Sequence, residues 1–171
     1  MTMQLISTVT LASAAASIDF TSIPQTGTDL LLVASLRLDY GSVDGLDRVL
    51  LNGTASDAVR RLEGSGSAVA STTAGPNNII LGTGTTATAN TFANVSIYIP
   101  NYTSAIAKTG SADMVSENNA TAASQRLEAI RWSTVTSAVT SLTIDGNAAI
   151  LAGSTASLYT ITKGSGGATV S

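Results

Sequence analysis

Short runs of β-forming residues, each closed by Gly, Pro, Asn or Asp, follow one another along almost the whole chain. That punctuation leaves little room for any fold but an all-β one. Gln4–Thr10 alternates, with Leu5, Ser7 and Val9 on one side. Ser17–Phe20 is a second short run, closed by Ile23 and Pro24. Asp29–Leu38 holds the continuous run Leu30–Val33, the pattern of a strand covered on both faces, before Leu36 and Leu38 alternate with Arg37 and Asp39. Arg48–Leu51 is followed by Asn52-Gly53, a dipeptide that tolerates positive φ at both places and so favours a two-residue hairpin, with Ala58–Glu63 as the returning strand. Asn78–Leu81 is short. Thr91–Ile99 sets Val95, Ile97 and Ile99 against Asn94, Ser96 and Tyr98, and Pro100 stops it.

Ile106–Glu117 is a weaker strand. Ala122–Trp132 fits either a helical or an alternating pattern, and the β-branched run Thr134–Thr136 after it favours a strand. Leu142–Ile144 and Leu158–Ile161 close the series, joined through Asp145-Gly146-Asn147. Tyr40–Asp47, Gly64–Gly75 and Gly82–Asn90 read as loops. About ten short strands at spacings near 8–12 residues describe a jelly-roll-like antiparallel β-sandwich. The chain divides into residues 1–16, an apolar amino-terminal segment able to dock on a neighbour, residues 17–163, the sandwich, and residues 164–171, a flexible Gly/Ser tail.

Composition narrows the chemistry. The 171 residues contain no Cys and no His, which removes disulfides, thiolate nucleophiles, and the commonest general base and metal ligand. Charged residues make up 11 % of the chain, against about 25 % in soluble domains generally. Ala, Ser and Thr contribute 26, 22 and 25 residues, so small groups and hydroxyls must form much of the surface. The net charge is −3 and only Arg60-Arg61 are adjacent cations, which gives no track for a phosphate backbone and argues against nucleic acid. Met1–Gln4 has no Lys or Arg before the apolar Leu5–Ile18 stretch, so a secretory signal is not expected. No apolar run approaches the ~20 residues of a membrane-spanning helix.

Candidate chemical groups are sparse. Asp39, Asp44 and Asp47 crowd one Gly-containing segment and are the candidates for a Ca²⁺ site. Their spacing lacks the remaining ligands of a calcium loop, so the segment reads as a solvated acidic loop. Gly82–Ala87 fits G-x-G-x-x-G/A, but no helix follows to hold a pyrophosphate. Asp113, Glu117 and Glu128 supply the carboxylates for a glycosidase-type acid and base, with nothing in the sequence to join two of them. Ser and Thr hydroxyls have no His to activate them, and neither Lys108 nor Lys163 stands in an S-x-x-K pattern. Four Asn-x-Ser/Thr triplets, at Asn52, Asn94, Asn101 and Asn119, are expected by chance at this composition. Trp132 reads as a core residue. No catalytic residue, cofactor or membrane partner is expected, and the chain reads as a non-enzyme.

Five segments carry a resemblance. They are Ser17–Leu30 (SIDFTSIPQTGTDL), Leu51-Asn52-Gly53, Ala89–Phe92, Ile97–Tyr102 (IYIPNY) and Ser116–Ala122 (SENNATA). Together they resemble small structural proteins, and domains of longer virion proteins, of tailed bacteriophages. The resemblance implies a β-sandwich on the outside of a virion, on head or tail. Combined with the small-residue surface, it leads to the expectation of a capsid decoration protein, homotrimeric and bound to the major capsid protein. A tail or head fibre domain that binds a host glycan is the alternative. The Leu11–Ala16 stretch, the Asp39–Asp47 loop and the Gly-rich tail depart from the pattern and leave the attachment surface open.

Overall fold

The computed structural model describes residues 1–65, 68–74, 79–118 and 122–163. Thirteen strands run along these residues: β1 (Thr2–Thr10), β2 (Ala15–Phe20), β3 (Asp29–Leu36), β4 (Asp44–Leu51), β5 (Thr54–Ala55), β6 (Ala58–Gly64), β7 (Val69–Ala74), β8 (Ile80–Thr83), β9 (Ala93–Ile99), β10 (Lys108–Asn118), β11 (Ala122–Trp132), β12 (Leu142–Ile150) and β13 (Thr155–Thr162). They form two packed sheets, a β-sandwich. The larger sheet has the order β1-β13-β3-β9-β10-β11-β6-β7; the smaller has β2-β12-β4-β5, with β8 also pairing β4. The strand pairs are antiparallel.

The core follows from period-2 alternation. Leu30, Leu32 and Ala34 of β3 sit opposite Ile99, Ile97 and Val95 of β9, and all six are buried. The smaller sheet covers them with Ile18, Phe20, Val49, Leu51, Leu142 and Ile144. Each such aliphatic side chain gains about 1.5–3 kcal/mol on burial. Trp132, fully buried at the end of β11, donates its indole N–H to the Val49 carbonyl of the other sheet at 3.2 Å. One residue thereby fills the core and ties the layers together.

Several expectations are corrected. Leu30–Val33 is covered on one side only: Leu31 is half-buried and Val33 exposed, so the apolar run does not mark a two-sided strand. β4 starts at Asp44, inside the segment read as a loop. The Asn52-Gly53 turn does form, with φ of 50° and 75°. The strand that returns from it is only Thr54–Ala55, whereas β6 crosses to the larger sheet and pairs β11. Val69–Ala74, inside the stretch read as a loop, pairs β6 as an edge strand. Asp145–Asn147 lies within β12, where the pairing with β2 shifts register, rather than between two strands.

The amino-terminal segment has a place in the monomer. β1 pairs β13 from Thr2↔Thr162 to Thr10↔Thr155, and a bulge between Leu5 and Ser7 changes its phase. Ile6 and Val9 therefore turn toward the core, and Leu5 stays exposed. Residues 2–10, within the expected docking segment 1–16, thus pair in the same sheet as the strands of residues 17–163. Residues 164–171, expected as a tail, lie outside the described residues.

Candidate functional site

One face of the larger sheet packs on the core and the other looks outward. The register places outward side chains in rows across the strands. One row runs Ser157, Val33, Ser96, Asp113, Leu127, Leu62, Ser71; the next runs Tyr159, Leu31, Tyr98, Ser111, Ala129, Arg60, Thr73; a third holds Asn94, Val115, Gln125, Gly64 and Val69. Leu62, Val69, Val115 and Leu127 are 53, 85, 38 and 44 % exposed, and Met3, Leu5 and Val33 are exposed on the same face. Seven of the ten exposed large apolar side chains among the described residues thus share one surface. Scattered exposure needs no explanation, whereas seven such side chains on one surface make this face the candidate site.

Charge is nearly absent from the middle of this face. Arg131 pairs Asp57 at 2.6 Å, Lys163 pairs Asp29 at 3.1 Å, and Glu117 accepts from Thr88 N and Thr91 Oγ1, all at strand ends. Only Arg60 and Asp113 stand centrally, and neither has an ion-pair partner among the described residues. Arg60 donates from Nη1 to the carbonyl of its neighbour Val59 at 3.2 Å. Both line a depression of about 500 Å³ whose floor is Ala112 and Ala129 and whose walls include Tyr98 and Leu127. A second depression of about 390 Å³ continues along β11 past Arg60 to Gly110 and Arg131.

Tyr98 is fixed from below. Its hydroxyl donates to Asp29, whose other oxygen accepts from Asn101 N at 2.9 Å. Burial alone would raise the Asp29 carboxyl, but the bonds from Tyr98, Asn101 and Lys163 outweigh it and hold it below the usual range. The Asp29 bond, with burial, pushes the Tyr98 phenol up to about 12. Tyr98 is therefore a neutral, oriented ring, and the depression offers an aromatic wall, a cation, a carboxylate and the hydroxyls of Ser96 and Ser111. Such a set can pack or hydrogen-bond.

The carboxylates singled out from the sequence do not assemble. Asp44 and Asp47 stand three apart on β4 and point to opposite sides. Asp44 meets Arg126 at 3.3 Å, Asp47 is buried and accepts from Asn147 N at 3.0 Å, and Asp39 is exposed. Among the described residues no three acidic groups are placed to hold a metal ion. Asp113 lies on the outward face while Glu128, on the neighbouring strand, is buried on the inward one; Glu117 holds the Thr88–Thr91 loop. The G-x-G run has a packing reason: a Cβ on Gly84 would stand 2.0 Å from the Ser42 carbonyl oxygen, so this loop can lie against residues 40–43 only with glycine there.

The larger sheet also buries charge that residue type and spacing do not reveal. Arg61 binds Glu128 at 2.6 Å, and Arg126 binds Glu63 at 2.9 Å, on the inward side of β6 and β11. Burial outweighs both arginines and pushes Glu128 up to about 7; burial likewise raises Asp47 to about 7 against the bonds from Asn147 and Ala148. Lys108 is fully buried, its ammonium donating to Ser104 O at 2.7 Å, and burial lowers its pKa. The signal for the first group was present, since Arg61 and Glu63 alternate with Arg60 and Leu62, but alternation does not say which set turns inward.

Compared with known protein families, with curated proteins and with solved structures, the chain matches none.

Proposed function

We propose that this protein is a non-catalytic structural subunit that works by packing, carried on the exterior of a bacteriophage virion as a decoration protein. The observation behind this reading is the outward face of the larger sheet, broad, apolar and hydroxyl-bearing, with Arg60 and Asp113 at its centre, neither in an ion pair among the described residues. A surface of this kind costs little to desolvate and gains by being covered. The virion setting comes from the resemblance of the segments between residues 17 and 122, and the chain's lack of His and Cys fits a role without acid–base or thiol chemistry. The major capsid protein is the neighbour such a subunit would clamp, and threefold closure is the symmetry the resemblance suggests.

The test is add-back. Particles lacking the protein should bind the purified chain at saturable, symmetric positions in electron micrographs and should then resist heat better. Absence of binding to heads would overturn the decoration role. A second reading, a fibre domain that takes a host glycan, draws on the Tyr98, Arg60, Asp113, Ser96 and Ser111 groups in the depression. Binding to a glycan array that is lost in Tyr98→Ala, together with a location on a distal fibre, would favour it.

A further inference from the structure

We infer that the outward face of the larger sheet binds a second copy of this chain, related by a two-fold axis running along β11. This departs from the threefold closure suggested by resemblance and rests on the face alone.

A two-fold axis parallel to the strands and lying between two facing sheets exchanges left and right across β11. In the sheet order β9-β10-β11-β6-β7, it sets β6 of one subunit over β10 of the other, and β7 over β9. The rows described above keep their level. Arg60 and Leu62 then lie over Ser111 and Asp113 of the second copy, and the same contact recurs on the other side of the axis, as an isologous interface requires. Arg60, the central cation without an ion-pair partner among the described residues, comes opposite a position two residues along the strand from Asp113, the central carboxylate without one. With facing sheets ~10 Å apart and ~3.4 Å of rise per residue, an extended guanidinium side chain and a carboxylate bridge that offset. The two central charges without ion-pair partners among the described residues thus complete each other twice.

The apolar groups fit the same operation. Leu127 lies on the axis and meets its own copy. Val115 comes opposite Gly64, which pairs both Gln125 and Val69 inside the sheet. A Cβ on Gly64 would meet nothing within 4 Å, and its φ is not in the left-handed region. The described residues therefore give no reason for glycine there, whereas close approach of another chain does. The depression between Tyr98 and Leu127 receives the protruding Leu62 and Arg60 of the partner.

The area suffices. Five strands at ~4.8 Å spacing and about 28 Å average length cover about 650 Å² on each subunit. The two faces together reach about 1,300 Å², within the ~1,200–2,000 Å² of specific, stable interfaces. Sheets stacked this way pack about 10 Å apart with strands within about 30° of alignment, as natural sandwich layers do.

The experiment is sedimentation equilibrium of the full chain from about 1 to 100 µM, with charge exchange as the specific probe. The wild type should dimerise. Arg60→Glu and Asp113→Arg should each weaken association at least tenfold, and the double exchange should return it to within about threefold of wild type. Leu127→Asp, at a half-exposed position that leaves the core intact, should give a monomer with an unchanged circular dichroism spectrum. A wild type that stays monomeric at 100 µM overturns the proposal. So does a trimer indifferent to Leu127→Asp, or single exchanges that fail to weaken association. Add-back to particles is read separately, so a decoration role can stand while the two-fold contact fails, and the reverse.

Discussion

At the residue scale, Asp47 is the most telling side chain. It points inward from β4 with one oxygen bonded to Asn147 N and the other, Oδ2, without a partner. Burial lifts its pKa from 3.8 to about 7. Between those two values the unfolded chain releases the proton and the folded chain keeps it, so stability falls as pH rises through this window and levels off above about 7. Glu128, raised from 4.5 to about 7, acts in the same direction. Each group contributes at most about 1.4 kcal/mol per pH unit in its window. Urea denaturation from pH 5 to 8 should show declining stability, and Asp47→Asn should remove about half of the slope. A wild type whose stability rises with pH over this range would refute the assignment. Asp29 and Asp57 are shifted the other way, and their contributions are lost only below about pH 4. Both carboxylates look alike in sequence to Asp47, and the partners each one meets separate them: Asp29 is as buried as Asp47 but accepts from Tyr98, Asn101 and Lys163, and Asp57 accepts from Ser133 and Arg131.

At the scale of elements, β1 shows how one inserted residue changes a strand's role. Read as a simple alternation, Leu5, Ser7 and Val9 share a face. The bulge at Ile6 breaks that phase, turns Ile6 and Val9 inward, and leaves Leu5 outside. A bulge on an edge strand also twists its free side and discourages unwanted pairing. Removing residues 1–10 should therefore cost about 2–3 kcal/mol, from the half-buried Ile6 and Val9 and the lost ladder. It should also bare the edge of β13 to aggregation. Chemical denaturation with light scattering measures both. A truncated chain as stable and as soluble as the parent would mean that β1 is dispensable to the sandwich.

At the scale of the whole molecule, the two ends of the chain are brought together. β1 pairs β13 and β2 pairs β12, so strands from the two ends of the sequence meet in both sheets. Loop-closure entropy must be met before such pairs form, and all-β topologies of this kind fold in milliseconds to seconds. The single tryptophan, Trp132, is buried between the sheets and reports on their joining. Stopped-flow refolding followed by its fluorescence should fall in that range; a submillisecond phase carrying the full amplitude would contradict it.

Alternation and turn chemistry are local, and they were legible. The all-β class, the strand Ala93–Ile99 with its inward Val95, Ile97 and Ile99, the Asn52-Gly53 turn, the strand at Ala122–Trp132 and the burial of Trp132 all follow from residue type and spacing. What alternation leaves open is which face meets the other sheet and which strand is the neighbour. Those are long-range facts, decided when two layers exclude water together. They alone turn Arg61, Arg126 and Glu128 inward while Leu62 and Leu127 turn outward. They recruit Val69–Ala74 into the sheet, and they make Asp44–Leu51 a strand, whose alternation then parts Asp44 from Asp47. The same choice creates the outward face, because residues scattered from Met3 to Leu127 become neighbours only once eight strands are laid side by side.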